Sequence, residues 1–277
     1  MIPNAFTYQR PANLAEALQA LNHSGGKLLA GGHSLLPAMK LRLNQPETVI
    51  DISRIEELKG ICEQDGEIVI GAGTTHAAIE HNPLIQEKLS FFAQGAHWIG
   101  DAQVRNHGTI GGSLAHADPS ADWGAMILAA EATIEIAAPT GIRRVQANDF
   151  FMGMFTTALQ EDEIITAIRV SIPGQGYTST YQKFAQPASR FAIVGCAALR
   201  LPNGITRIAL TGVADMPFRD AGAEAAVSGN PLNAETIQAA ARAAAEGVEV
   251  MGDQNASPAY RKHLAKVYVQ RALEAIS

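Results

Sequence analysis

The sequence predicts an α/β unit followed by a smaller α+β unit, and three observations carry that reading. Helices with capping signals alternate with short apolar strands in the first part of the chain. A turn cluster, Pro173-Gly174-Gln175-Gly176, then breaks the pattern and marks the best domain boundary. Beyond it stand a hairpin signal and two closing helices.

The elements follow in order. Asn13 is placed to cap a first helix, with Glu16 at capping-box spacing and Leu14, Ala17, Leu18 and Leu21 on one stripe. His23-Ser24-Gly25-Gly26 ends it. Lys27 to Ala30 reads as a short buried strand feeding Gly31-Gly32-His33-Ser34-Leu35-Leu36-Pro37, a glycine pair followed by a hydroxyl. Thr48 to Ile52 is a second strand, and Ile61 to Gly73 a hairpin-like pair around Asp65-Gly66. Its second strand ends in Gly71-Ala72-Gly73-Thr74-Thr75-His76, which superficially resembles a dinucleotide fingerprint. His76 replaces the third glycine and no clear βαβ unit with a downstream acid follows, so the match is weak. Thr74 or Thr75 reads better as a helix cap before Ala77, Ala78 and Ile79.

Leu84 to Gly100 reads as a helix with Leu89, Phe92, Ala96 and Ile99 on one face. After the run Val104 to Trp123, an Ala/Met/Leu-rich core helix extends to Ala132 and a strand covers Thr133 to Ala138. Asp149-Phe150-Phe151-Met152 reads as an apolar turn or short helix, and Glu163 to Ile172 as a strand. Past the boundary, Phe191–Leu201 and Ile205–Ala214 flank Pro202-Asn203-Gly204 as a hairpin. Ala234 to Glu246 forms an alanine-rich helix. Ser257 caps the last helix with Pro258 in its first turn, and Leu264, Val267, Tyr268, Ala272 and Ile276 mark its buried face.

Composition excludes several classes. The chain has 277 residues, 47% of them hydrophobic and 17% charged, as in a folded protein with a sizeable core. A net charge of −6 without a Lys/Arg cluster argues against nucleic-acid binding. Neither a signal peptide nor a membrane-spanning apolar run is expected, which points to a soluble, cytoplasmic protein. Cys62 and Cys196 are too few for an iron–sulfur cluster, and both read as small core residues. His97, His107 and His116 lack metal-ligand spacing. Gly32-His33-Ser34-Leu35 lacks the second glycine of a nucleophile elbow. Nothing shows that Asp118 and Asp122 form a glycosidase pair.

Function hangs on the run Val104 to Trp123. Its middle, Thr109-Ile110-Gly111-Gly112-Ser113, sets two glycines between hydroxyl side chains, as backbone that must approach a phosphate or ribose would. Asp118 and Asp122 follow as acceptors for ribose hydroxyls. A glycine turn with a solvated acidic loop fits the same letters. Gly31-Gly32, with His33 and Ser34, is a second such loop, and the two converging would cradle a diphosphate on backbone N–H groups. FAD held outside a Rossmann fold is the natural candidate.

Here a family enters. Ala30 to Pro37, Thr109 to Ser113 and Ala117-Asp118-Pro119-Ser120-Ala121-Asp122 closely resemble the FAD motifs of the flavoprotein (medium) subunit of molybdenum hydroxylases, the xanthine dehydrogenase and aerobic carbon monoxide dehydrogenase group. Gln103-Val104-Arg105-Asn106, Asp162 to Ile165, Tyr181 to Phe184, Gln186 to Ser189 and Ala256 to Arg261 match as well, so the resemblance spans essentially the whole chain.

The resemblance implies an α+β fold. A two-subdomain FAD-binding domain of the vanillyl-alcohol-oxidase (PCMH) type would cover 1–175, split at about 57/58, and a C-terminal flavoprotein domain 176–277. It also implies that Leu29, Ala30, Gly31, Gly32, His33, Ser34 and Leu35, with Thr109, Ile110, Gly111, Gly112 and Ser113, hold the diphosphate. Asp122 would bind the adenosine ribose, Ile165 would meet the flavin ring through its backbone, and Lys183 would lie near the flavin. No residue is nominated as a general base. The implied partners are a large molybdopterin-binding subunit and a small subunit with two [2Fe-2S] clusters, in a dimer of heterotrimers. Electrons would pass from the clusters through FAD to an external acceptor. A self-contained flavin oxidase and a non-catalytic assembly subunit are the alternatives. Trp123 stands where many members have proline or a small residue, and the sequence offers no reason for it.

Overall fold

The computed structural model describes residues 2–277. Its first lobe comprises β1 (Thr7–Gln9), α1 (Leu14–Ser24), β2 (Lys27–Leu29), α2 (Leu35–Lys40) and β3 (Thr48–Asp51). The strands form a parallel sheet in the order β1-β3-β2. Asn13 caps α1 by accepting from the Glu16 N–H at 2.9 Å, and Gly25 ends the helix at φ 57°. The Glu16 carboxylate turns back onto the Ala12 N–H, one residue earlier than in a standard capping box. Ala17, Leu21, Ile50, Ile55 and Leu58 make this lobe's core together with Ile164, from far along the chain. β2 is half-exposed rather than buried, because it lies at the edge of a small sheet.

The second lobe begins with β4 (Ile61–Gln64) and β5 (Glu67–Gly71), the expected hairpin. Six helices follow: α3 (His76–His81), α4 (Pro83–Lys88), α5 (Ser90–Trp98), α6 (Ala102–His107), α7 (Ile110–His116) and α8 (Asp122–Ala129). Then come β6 (Thr133–Ala138), β7 (Gly141–Gln146), β8 (Phe151–Gly153), β9 (Thr156–Thr157) and β10 (Ile164–Ser171). The main sheet runs β4-β5-β10-β6-β7 with every neighbouring pair antiparallel. The α/β expectation for this part is therefore corrected: parallel pairing is confined to the small first sheet, and the whole is α+β. Trp123, Phe91, Phe92, Phe150 and Ile168 are fully buried between helices and sheet. Residues 84–100 are not one helix. Leu89, at φ −143° and ψ 51°, breaks them into α4 and α5 and buries its own side chain at the corner. Likewise the 149–152 segment is the end of a single 3₁₀ turn followed by β8.

The third part comprises β11 (Thr178–Ala185), β12 (Ala192–Arg200), β13 (Thr206–Thr211), β14 (Phe218–Arg219), α9 (Ala221–Val227), α10 (Ala234–Ala243) and α11 (Pro258–Glu274). Its antiparallel sheet, β11-β12-β13-β14, is buried on both faces. Alternation explains how: Ala197 and Leu199 join the main core, while Cys196 and Ala198 face the core shared with the closing helices. The buried Arg261 of α11 donates to the Ile193 and Gly212 carbonyls at 2.6 and 2.5 Å, pinning the last helix to the strand ends. Among the described residues no helix is long and apolar enough to cross a membrane.

Candidate functional site

A cleft of about 1200 Å³ opens between the first two lobes, large enough for a dinucleotide. Its walls are the β2–α2 loop, the β5–α3 loop, the α6–α7 segment and the start of β10, with Phe191 at the rim. The two glycine pairs meet here. A side chain on Gly31 would strike the His107 carbonyl and Gly108, so only glycine lets the backbones approach. Gly32 follows in the left-handed region at φ 73°, which bends the chain around the cleft floor.

The two loops contribute different things. The backbone N–H groups of Gly31, Gly32, His33, Ser34 and Leu35 make no hydrogen bond within the chain among the described residues, and all of these residues line the cleft. Such a run of free N–H groups on a bent backbone binds anions. The second loop was expected to add more of them and does not. Thr109-Ile110-Gly111-Gly112-Ser113 forms the cap and first turn of α7 rather than a turn. The Ile110 N–H donates to Thr74, the Gly111 N–H to Ala72, the Gly112 N–H to the Thr109 hydroxyl and the Ser113 N–H to the Thr109 carbonyl. What this loop supplies is clearance and hydroxyls. A Cβ on Gly111 would sit 2.7 Å from the Ala72 carbonyl, so Gly111 seats the helix. A Cβ on Gly112 would meet only the Thr109 hydroxyl at 2.8 Å and Ala30 at 3.8 Å, so Gly112 leaves the cleft wall bare.

Of the residues the sequence nominated, Leu29 to Leu35, Thr109, Gly111, Gly112, Ser113 and Ile165 line the cleft, as does Asp118. Ile165 stands where β10 shifts register between Ile165 and Ala167, a bulge at the cleft edge. Three do not. Ile110 is fully buried beneath the loop. Asp122 and Lys183 turn toward each other behind the wall: the Lys183 ammonium donates to Asp122 at 2.8 Å and to the Trp98 carbonyl at 3.1 Å. The Tyr181 hydroxyl donates to the other Asp122 oxygen at 2.5 Å. Burial pushes the Asp122 carboxyl up, and Lys183 and Tyr181 pull it back. The pair is closed on itself, with neither side chain at the cleft surface. The physical reason is that two charges taken out of water find partners in each other.

The sequence assigned no site role to His76 or Trp123. His76 lines the cleft beside the β5–α3 turn and is buried, and the indole N–H of Trp123 donates to its Nδ1 at 3.1 Å. Burial, with help from His33 and Arg105, pushes the imidazole down to about 3. Trp123 is thereby explained: it fills the core against Phe92, ring centroids 5.5 Å apart, and spends its one polar atom on His76. No spacing rule links residues this far apart, and the only local signal was a histidine directly after a helix-capping threonine.

These features fit FAD: a cleft large enough for a dinucleotide, free N–H donors for a diphosphate and a glycine wall that a Cβ would fill. Comparison with known proteins agrees. Residues 4–173 match the family model for the FAD binding domain in molybdopterin dehydrogenase, and residues 179–276 match that for the CO dehydrogenase flavoprotein C-terminal domain. The chain is 42% identical to the carbon monoxide dehydrogenase medium chain of Hydrogenophaga pseudoflava, over 99% of this chain and 98% of that one. It is 36% identical to the glyceraldehyde dehydrogenase medium chain of Sulfolobus acidocaldarius, over the full length of both. The solved carbon monoxide dehydrogenase from Hydrogenophaga pseudoflava that lacks the Mo-pyranopterin moiety superposes with a TM-score of 0.96 at 43% identity, covering 100% of this chain and 98% of that one. The chain belongs to the FAD-binding medium-subunit family of the molybdenum hydroxylases.

Proposed function

We propose that this chain is the electron-transferring FAD subunit of a molybdenum-containing hydroxylase or dehydrogenase complex. The observation that carries the reading is the run of free N–H groups from Gly31 to Leu35 in the same cleft as the bare wall at Gly112. FAD, when bound, supplies a redox centre that takes electrons singly and gives them up in pairs. The chain's own residues do the rest. Gly31 to Leu35 hold the diphosphate, Gly112 and Ser113 give it room, and the Ile165 backbone borders the flavin ring. The FAD-binding domain runs to about residue 175, with its lobes divided near residue 57.

The partners are a large molybdopterin subunit and a small subunit with two [2Fe-2S] clusters, assembled as a dimer of heterotrimers in the cytoplasm. Support comes from the cysteines, since Cys62 is exposed on β4 and Cys196 is buried in the third sheet. The relatives support it too. Medium chains named for carbon monoxide and for glyceraldehyde dehydrogenases both match nearly end to end, which supports a substrate site on another subunit.

Purification of the chain with its native partners tests the proposal. The expected result is a yellow protein with one flavin per chain and with molybdenum and iron on co-purifying subunits. A chain that stays colourless after incubation with FAD would overturn it. So would a flavin-loaded chain that oxidises small molecules alone.

A further inference from the structure

We infer that His76 presents an uncharged Nε2–H to the diphosphate of the bound dinucleotide, and that Trp123 is the positioning residue that keeps the proton there. The inference rests on FAD occupying the cleft.

Indole nitrogen only donates, so the Nδ1 that receives the Trp123 N–H at 3.1 Å carries a lone pair. The neutral ring then has its proton on Nε2. That atom has no hydrogen-bond partner among the described residues, and His76 lines the cleft. The Nε2 edge of the ring lies against Gly108. A side chain there would come within 2.7 Å of Nε2, and its absence leaves the donor uncovered. Gly108 is also the residue on which Gly31 rests, so Nε2 stands next to the start of the free N–H run. A buried donor with its proton fixed, beside a row of donors awaiting an anion, is matched by a phosphate oxygen. His33 differs: its Nδ1 is engaged with the Gly31 carbonyl at 2.8 Å, so its neutral ring offers the cleft an acceptor.

The test is long-range ¹H–¹⁵N spectroscopy of histidine-labelled full chain freed of cofactor, with ADP as a diphosphate probe and riboflavin as a probe without one. The expected wild-type spectrum shows His76 as the Nε2–H tautomer, with Nε2 moved by ADP and unmoved by riboflavin. Trp123→Phe should admit the Nδ1–H tautomer. His76→Leu should weaken both FAD and ADP by about 10- to 100-fold, the worth of one hydrogen bond to a charged acceptor. His76→Gln, which keeps a donor near Nε2, should recover most of that. An Nδ1–H tautomer in the wild type, an Nε2 signal indifferent to ADP, or wild-type FAD affinity in folded His76→Leu would each overturn the inference alone. A wild-type chain that binds neither FAD nor ADP would overturn the cofactor reading and the inference with it. Should His76→Leu fail to fold, the wild-type spectra decide.

Discussion

A histidine held near pKa 3 has consequences for stability that can be signed. His76 titrates at about 6.5 when unfolded and about 3 when folded, so the unfolded chain binds its proton first as pH falls. Its neutral burial therefore costs nothing above pH 6.5, and stability is lost progressively from there toward pH 3. Between pH 7 and pH 4.5 the loss from this one group is about 2.5 kcal/mol. His76→Gln should remove that share of the acid sensitivity, measured by urea unfolding at the two pH values. The Asp122–Lys183 pair makes the opposite point about charge. Both side chains are buried, so Lys183→Ala strands a carboxylate and should cost about 3–5 kcal/mol in the same assay. Combining Asp122→Asn with Lys183→Met should recover much of it, because no lone charge then remains.

At the scale of elements, α7 shows two neighbouring glycines with separable duties. Gly111→Ala drives a methyl group onto the Ala72 carbonyl, which as backbone cannot move aside, so thermal stability should fall. Gly112→Val instead projects into the cleft. The chain should keep its far-UV circular dichroism and lose flavin occupancy, and occupancy at the wild-type level would show that the site lies elsewhere.

Legibility also divides by element. Caps could be read closely: Asn13 and Ser257 each accept the N–H their position predicts, and of the two candidates Thr74 and Thr75 it is Thr75 that does, because capping is local chemistry. Cleft residues could be read where they sit in one contiguous loop, as Gly31 to Leu35 do. Antiparallel pairing of β5, β10 and β6 could not, since β10 arrives roughly a hundred residues after β5 and local periodicity carries no partner. β7 also escaped notice, because it lies at a sheet edge with mostly exposed side chains and lacks an apolar run. The break at Leu89 is equally silent. Leucine is a good helix former, and the corner is imposed by what the side chain buries.

Across the whole molecule, the loop between α7 and α8 ties the cleft to the third sheet. The Thr211 hydroxyl lies 2.7 Å from the Pro119 carbonyl and 2.8 Å from that of Ala121, and the Gly212 and Ala192 N–H groups donate to Pro119 and Ser120. Thr211→Val should cost about 0.5–1.5 kcal/mol, the net worth of one hydrogen bond, since the Gly212 N–H still serves the Pro119 carbonyl, read as a lower urea midpoint. The seam also means that the C-terminal sheet braces the segment carrying Asp118 and Ala121 at the cleft wall.

The seat of Gly31 on His107 and Gly108 sets how this molecule takes up its cargo. Main chain rests on main chain there with no space for a single methyl, so the two lobes have already reached their end stop. Jaws at their stop cannot bite. Binding therefore cannot draw the lobes any nearer at that contact, and the width of the slot there is set by the chain before the cofactor arrives.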